Sequence, residues 1–288
     1  MKKKIVIGVG EFLWDVTPTG RRAGGAPVNF AYHASCDEVE GWAVSAVGRD
    51  ELGRELLAVA EENGIQLLVA EVDHPTGTVD VLLDNGQPDY RINEDVAWDY
   101  IPLTEELLKK SSASSAITFG TLAQRSPVSR ATTQAMLKAA PESAWKVYDI
   151  NLRQKFWSKE LIAESLRLAN VFKINDDEMN LLKGLFGFGD MGYDELAARF
   201  ICEYGLRMLV LTAGAEFSSV YTPEGKVSEI PTPKVEVNDT IGAGDSFTGT
   251  LISGLIRGLS IPQAHETAVE TAAYVCTQSG AWHKCEKN

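Results

Sequence analysis

The segment NDTIGAGDSFTG, which begins at Asn238, combines residue types that can act together on a phosphate group. Its small residues 242–244 precede an apolar helical pattern, and backbone N–H groups at the start of a helix bind anions. Asp245 follows in the first turn, where the positive helix end favours a charged carboxylate, so we expect it to stay ionised. A carboxylate beside free N–H groups can deprotonate an alcohol, while the N–H groups stabilise the group that is transferred. Phosphoryl transfer to a sugar hydroxyl requires both. A helix N-cap, which aspartate often fills, explains Asp245 equally well at this point.

The glycines of this segment match neither of two familiar nucleotide motifs. Gly242-Ala-Gly244 lacks the third glycine of a dinucleotide fingerprint and lies late in the chain, whereas that fingerprint usually opens its domain. The chain also has no G-K-[ST] sequence, which excludes a Walker A loop. An NAD-dependent oxidoreductase is therefore the weaker alternative, and NADH binding would distinguish it.

The elements that must position these residues alternate between strands and helices. Strand patterns cover Ile5–Val9, Ala43–Val47, Ala116–Phe119, Lys146–Ile150, Val171–Ile174 and Met208–Thr212. Helical patterns cover Glu51–Asn63, Val128–Ala139, Lys159–Ala169, Asp177–Leu185 and Tyr193–Glu203. This alternation predicts an α/β fold with a mostly parallel sheet that has helices on both faces.

One segment departs from this alternation and predicts a small β lid. Between residues 76 and 93, Val79, Val81 and Leu83 alternate with Asp80, as in a half-exposed antiparallel strand. Asn85-Gly86 follows and is a strong hairpin signal. We expect the segments around 12–19 and 77–98 to form a lid over a site on the main sheet.

Charge and composition restrict the partners and the location of the protein. The net charge of −13 and the absence of a basic stripe argue against nucleic acid binding. No apolar run is long enough to span a membrane, and the stretch after the N-terminal lysines is too short for a signal peptide, so we expect a cytoplasmic protein. Its four cysteines lack metal-binding spacing and are expected to be reduced thiols; they are Cys36, Cys202, Cys276 and Cys285.

Two motifs together resemble the signatures of ribokinase-like (PfkB-type) carbohydrate kinases. GGAPVNFA, with Gly24, Gly25, Asn29 and Ala31, resembles the N-terminal signature, and DTIGAGDSFTGTL resembles the C-terminal one. The two lie in the expected order about 220 residues apart, which makes the pair more specific than either motif alone. YDINLR, FKINDDE and LVLTAGAEFSSVY extend the resemblance over nearly the whole chain. It implies a single domain over residues 1–288, folded as a three-layer sandwich with a small β-sheet lid.

The resemblance also implies roles in catalysis and sugar binding. Asp245 matches the catalytic base, and Gly242, Ala243 and Gly244 match the anion hole. Arg153 follows a predicted strand together with Asp149 and Asn151, and its guanidinium is a candidate bidentate donor to phosphate oxygens. The positions that match sugar-binding residues are Asp15, Gly25 and Asn29. Arg91 and Asn93 of the lid are further candidates for sugar contacts, without a family motif of their own.

A second set of residues resembles the nucleotide and cation sites of the family. Asn175 and Glu178 form an Asn-x-x-Glu motif, which implies that Glu178 organises Mg²⁺ through water. Thr212, Gly214 and Thr240 match nucleotide-binding positions. Asp239 stands where members of the family carry a K⁺-type site. The implied cofactors are therefore ATP and Mg²⁺, with K⁺ as a further candidate.

The fructokinase branch is the nearest in sequence, through GEFLWDVTP, GGAP, FGTL and DINLRQKFW. This implies transfer of the γ-phosphate of ATP to fructose, giving fructose 6-phosphate. Asp149-Ile-Asn151 departs from the usual Asp-Pro-Asn, which weakens the assignment to fructose. The alternatives are 2-keto-3-deoxygluconate, ribose or a nucleoside as acceptor, and a non-catalytic sugar-binding protein. A homodimer that forms through the lid is a candidate assembly. We expect no membrane partner.

Overall fold

The computed structural model describes residues 3–17, 20–36, 38–84 and 87–284. The strands are β1 Lys4–Val9, β2 Leu13–Thr17, β3 Gly20–Gly24, β4 Val39–Gly48, β5 Gln66–Val72, β6 Gly77–Asp84, β7 Gln87–Ile92, β8 Ser114–Phe119, β9 Trp145–Asp149, β10 Val171–Asn175, β11 Met208–Ala213, β12 Phe217–Thr222 and β13 Gly225–Pro231. The helices are α1 Ala26–Ala34, α2 Glu51–Glu62, α3 Glu105–Ser112, α4 Pro127–Ala139, α5 Lys159–Leu168, α6 Asp176–Phe186, α7 Tyr193–Tyr204, α8 Ala243–Ile256 and α9 Ile261–Cys276. The strands and helices predicted from the sequence are confirmed, with small differences at their ends.

The main sheet has nine strands in the order β13-β12-β11-β10-β9-β8-β1-β4-β5. Its strands run parallel except at one edge, where β12 and β13 are antiparallel to their neighbours. Alternate side chains of β1 enter different cores, because successive residues of a strand point to opposite faces. Val6 packs in a cluster with Phe247 of α8, whereas Ile7 packs in a cluster with Phe200 of α7. Helices therefore cover both faces, as the α/β prediction requires.

A separate four-stranded sheet, which we call the lid, has the order β3-β2-β6-β7. Strands β6 and β7 pair antiparallel, with Asp84 opposite Gln87. The predicted hairpin tip at Asn85-Gly86 lies outside the described residues, as do Pro18 and Thr19 of the predicted lid segment and Cys285. Trp98 lies in a 3-10 turn at Ala97–Tyr100 and packs with Leu13 of the lid. The period-two pattern therefore forms a lid sheet, and Trp98 is part of its support.

The lid joins the main sheet at the point where β1 ends. Strand β2 follows β1 after three residues, and β3 leads directly into α1 through Gly25. Gly25 has a φ of +126°, and a Cβ at this position would lie 2.2 Å from the backbone oxygen of Glu11. Only glycine allows so close an approach. This contact brings the start of α1 against the carboxyl end of β1.

Among the helices in the described part of the chain, none has both the length and the apolar character needed to cross a membrane.

Candidate active site

Asp245, the predicted catalytic base, lines a pocket at the carboxyl ends of the central strands. This pocket lies under the start of α8. Its polar lining consists of Glu11, Thr118, Asp149, Asn151, Asp245 and Thr248. Open α/β sheets bind ligands at this edge, because the loops that follow the parallel strands converge there. The sheet thus brings together residues from four separate parts of the sequence.

Asp245 lies in the first turn of α8 but does not cap the helix. Gly242 occupies the N-cap position with a φ of +77°, and no side chain caps this helix. The Asp245 carboxylate instead accepts a hydrogen bond of 2.8 Å from Nδ2 of Asn29. The other end of that amide, Oδ1, accepts a hydrogen bond of 2.8 Å from Nε1 of Trp282. Asn29 therefore orients the carboxylate of Asp245.

The protonation of Asp245 differs from the sequence expectation. Burial raises the pKa of Asp245 to about 7, and the nearby charge of Asp149 adds to the increase. The hydrogen bond from Asn29 and the charges of Lys173 and Arg153 act in the opposite direction. The expectation that the helix end alone keeps Asp245 ionised is wrong, because desolvation outweighs the dipole of the helix. A carboxyl with a pKa near neutrality is suited to act as a general base.

Lys173 is a central cation of the site that the sequence analysis missed. Its side chain is buried at the end of β10, and Nζ lies 3.5 Å from Oδ1 of Asp149. Burial would lower the pKa of Lys173, but the charges of Asp149, Glu178 and Asp245 outweigh it and raise the pKa. A Cβ on Gly244 would lie 3.4 Å from this Nζ, so the ammonium is directly beneath the turn that opens α8. The sequence feature that could have revealed Lys173 is a lysine within the apolar run VFKIN.

Glu11 is a second residue that the sequence analysis missed. It is 5% exposed, lines the same cavity, and its Oε2 has no hydrogen-bond partner within the described part of the chain. Burial raises the pKa of Glu11, whereas the positive charges of Arg153 and Arg125 act to lower it. Its position directly after β1 was visible in the sequence, but its burial depends on the fold.

The Asn-x-x-Glu motif forms a capping box at the start of α6. Oδ1 of Asn175 accepts a hydrogen bond of 2.8 Å from the N–H of Glu178, and Oε2 of Glu178 accepts one of 3.0 Å from the N–H of Asn175. Oε1 of Glu178 also accepts a hydrogen bond of 2.7 Å from the N–H of Leu152. Both carboxylate oxygens of Glu178 therefore accept hydrogen bonds from backbone N–H groups. This arrangement suits contact with a cation through water better than direct coordination. Burial raises the pKa of Glu178, against the opposing charge of Lys173.

The carboxylates at the carboxyl edge of the main sheet can be compared with the ligands that Mg²⁺ prefers. Within residues 3–17, 20–36, 38–84 and 87–284, no three His, Cys, Asp or Glu side chains form a direct metal cage. Mg²⁺ usually keeps several waters and is bound by one or two carboxylates and by substrate phosphates. Asp149 at the end of β9 and Glu178 in the first turn of α6, which follows the adjacent strand β10, are carboxylates of this kind. The residues therefore fit a magnesium ion that is held largely by water and nucleotide.

The predicted sugar residues lie on the lid side of the cavity. Burial raises the pKa of Asp15 to about 6, and the charge of Asp239 adds to this, whereas Arg22 and Arg153 oppose it. Arg153 is exposed in the loop after β9, so its charge lies at the mouth of the crevice. In the lid, the Asn93 amide donates to Oγ1 of Thr78 at 2.7 Å, and Arg91 is exposed on the edge strand β7.

The predicted nucleotide residues lie on the other side, near β10 and β11. Thr212 pairs directly with Asn175 across these strands. Gly214 follows with a φ of +47° and accepts a hydrogen bond of 2.9 Å from Oγ1 of Thr232. The backbone oxygen of Thr240 accepts a long hydrogen bond of 3.3 Å from the N–H of Ala243. Gly244 lies in the first turn of α8, where N–H groups lack intrahelical partners, so its N–H is a candidate donor to an anion.

A parallel sheet, an anion-binding turn and a buried carboxylate beside it are the parts of a phosphotransferase that acts on a sugar hydroxyl. Comparison with known proteins agrees with this class. The chain belongs to the pfkB family of carbohydrate kinases, which matches residues 12–288.

Individual relatives differ in the sugar named for them. Fructokinase-1 of Zea mays is 26% identical, over 94% of this chain and 89% of its own length. The 5-dehydro-2-deoxygluconokinase 1 of Bacillus cereus is 27% identical, over 91% of this chain and 81% of its own length. The crystal structure of a fructokinase with bound ATP from Xylella fastidiosa has a TM-score of 0.82 and 21% identity, covering 98% of this chain and 94% of that chain. The last comparison supports the fold.

Proposed function

We propose that this sugar kinase uses ATP and that Asp245 is the general base. The observation that carries the proposal is the position of Asp245, in a cavity beside the turn that opens α8, with a pKa near neutrality. Asp245 takes the proton from a sugar hydroxyl, and the hydroxyl oxygen forms a bond to the γ-phosphorus. The bond from that phosphorus to the β,γ-bridging oxygen breaks, and ADP leaves.

Other residues stabilise the charge that shifts during this step. The N–H groups of the turn at residues 242–244 receive the phosphoryl oxygens, and Lys173 lies beneath the same turn. Arg153, at the crevice mouth, pairs with phosphate oxygens. Asp149 and Glu178 would hold Mg²⁺ through water, and the ion would supply positive charge that offsets the charge of the phosphates. Thr212, Gly214 and Thr240 line the nucleotide side.

We propose a neutral sugar, fructose, as the acceptor. At pH 8, above the pKa of about 6 for Asp15 and of about 7 for Asp245, the negative charges of these two carboxylates disfavour an acidic sugar such as 2-keto-3-deoxygluconate. The carboxyl group of Asp15 and the amide of Asn29 are groups that can form hydrogen bonds with sugar hydroxyls. The fructokinase names among the relatives support fructose over ribose or a nucleoside.

The test is acceptor-dependent release of ADP, measured with fructose, ribose, 2-keto-3-deoxygluconate and a nucleoside at saturating ATP and Mg²⁺. We expect fructose to give the highest kcat/KM. A higher value for the acidic sugar would contradict the argument from charge. Sugar binding without ADP release from any acceptor would favour the non-catalytic alternative. Light scattering would test the homodimer through the lid.

A further inference from the structure

An ion pair connects the lid to the segment that leads into the catalytic helix. Nη1 of Arg22, on strand β3, lies 2.5 Å from Oδ2 of Asp239. Arg22 is also directly opposite Asp15 in the β2–β3 ladder. The side chain of Asp239 is 13% exposed, whereas that of Arg22 is 43% exposed. The pair therefore joins the sugar side of the lid to the approach of the anion hole.

Asp239 has further partners that leave little room for a bound cation. Its Oδ2 also accepts a hydrogen bond of 3.2 Å from the N–H of Gly280, and Oδ1 accepts one of 3.0 Å from the N–H of Ile241. The carboxylate thus holds three donors, one of which is a full positive charge. A monovalent cation on Asp239 would have to compete with the guanidinium of Arg22. The residues present do not fit the K⁺ site that the sequence predicted.

The contacts of Asp239 join the turn that opens α8 to the C-terminal segment. The bond to Ile241 shapes the turn that continues into Gly242, and the bond to Gly280 holds the C-terminal segment against it. A Cβ on Gly242 would lie 2.4 Å from Cβ of Ala281, and Trp282 next to it donates to Asn29. The side chain of Asp239 thus holds together the turn that opens α8 and the C-terminal segment that supports Asn29, the partner of Asp245.

We propose that Arg22 takes the place of the monovalent cation at this site, so that the kinase needs no K⁺. The guanidinium holds the side chain of Asp239 in its orientation, and it ties the lid to the turn at the same time. Arg22 is a positioning residue, because it acts through Asp239 and not on the transferred group. The consequence for turnover rests on the kinase activity proposed above.

The experiment compares KCl, NaCl and tetramethylammonium chloride at equal ionic strength, with turnover and melting temperature as the two readouts. For the wild type, we expect neither to differ between the salts. Arg22→Ala should lower kcat/KM about tenfold or more in tetramethylammonium chloride, because a hydrogen bond between charged groups is lost. K⁺ should restore much of that loss and raise the melting temperature of this variant. Arg22→Lys should remain independent of K⁺.

Arg21→Ala is the matched control. Arg21 is the neighbouring exposed residue of β3 and pairs with Glu55 at 2.8 Å, away from Asp239. This variant should behave as the wild type in all three salts. Strong activation or thermal stabilisation of the wild type by K⁺ would overturn the inference, as would an Arg22→Ala variant that matches the wild type in every salt. If the wild type releases no ADP in any salt, the proposed function fails, and the melting temperatures alone decide the role of Arg22.

Discussion

Asp245→Asn should separate a catalytic role of this residue from a structural one, because the two roles predict opposite changes in stability. Asparagine has nearly the same shape, and its Oδ1 can still accept the hydrogen bond from Asn29. The variant therefore removes the charge and the proton acceptor, and it leaves the packing around α8 in place.

The size of the stability change follows from the pKa of Asp245. Burial, with the charge of Asp149, raises this pKa from 3.8 to about 7, which corresponds to about 4 kcal/mol in favour of the protonated form. Because the folded pKa is raised, the wild type loses stability as the pH rises from about 4 through 7. Asparagine does not titrate, so the variant should be more stable above pH 7 by up to about 4 kcal/mol, and the difference should disappear toward pH 4.

Turnover should change in the other direction. A general base contributes about 10²–10⁴-fold, so kcat of Asp245→Asn should fall by that order. Measurements of kcat at pH 8 and of melting temperature at pH 5 and pH 8 test both expectations. Glu105→Gln is the control, because Glu105 is an exposed carboxylate in the first turn of α3. It should leave turnover unchanged.

Two results would refute this reasoning. The first is near-normal turnover of Asp245→Asn. The second is a lower melting temperature at pH 8, which would mean that the carboxylate stabilises the helix end by about 0.3–1 kcal/mol, as an ordinary first-turn carboxylate does.

Three further predictions concern pH, sugar binding and the buried lysine. Since protonated Asp245 cannot accept a proton, kcat/KM for the sugar should fall about tenfold per pH unit below pH 7, and a flat profile from pH 5 to 8 would contradict this. Asp15→Ala should raise the sugar KM about 5- to 150-fold, equivalent to about 1–3 kcal/mol, with the KM for ATP as the control; an unchanged sugar KM would reject the assignment. Lys173→Met removes the cation between Asp149 and Asp245, so denaturant unfolding should show a loss of about 3–5 kcal/mol and the pH profile should move to higher pH. An unmoved pH profile would show that Lys173 does not act on Asp245.

The architecture was predictable because it depends on local patterns. Apolar runs such as Met208–Thr212 and amphipathic segments such as Tyr193–Glu203 give strands and helices from their own periodicity. The break to period two at Val79 likewise revealed the lid sheet. These signals lie within about ten residues of sequence and need no knowledge of distant contacts.

The electrostatics of the site were not predictable in the same way. Lys173 and Glu11 become important because the fold buries them beside Asp149 and Asp245, and burial is a property of the whole structure. The pKa of Asp245 was misjudged for the same reason, since the local helix end is the weaker influence. The ion pair at Asp239 was not visible in the sequence, because its partner, Arg22, lies far away in the sequence and reaches it only through the lid.

The central claim, transfer of a phosphoryl group to a sugar hydroxyl with Asp245 as base, is tested most directly by ³¹P NMR of the product. The wild type and Asp245→Asn would each be incubated with ATP, Mg²⁺ and fructose. We expect the wild type to form a phosphate monoester on C6 of fructose together with ADP, and the variant to form almost none in the same time. ADP with only inorganic phosphate, or equal ester formation by both proteins, would contradict the account.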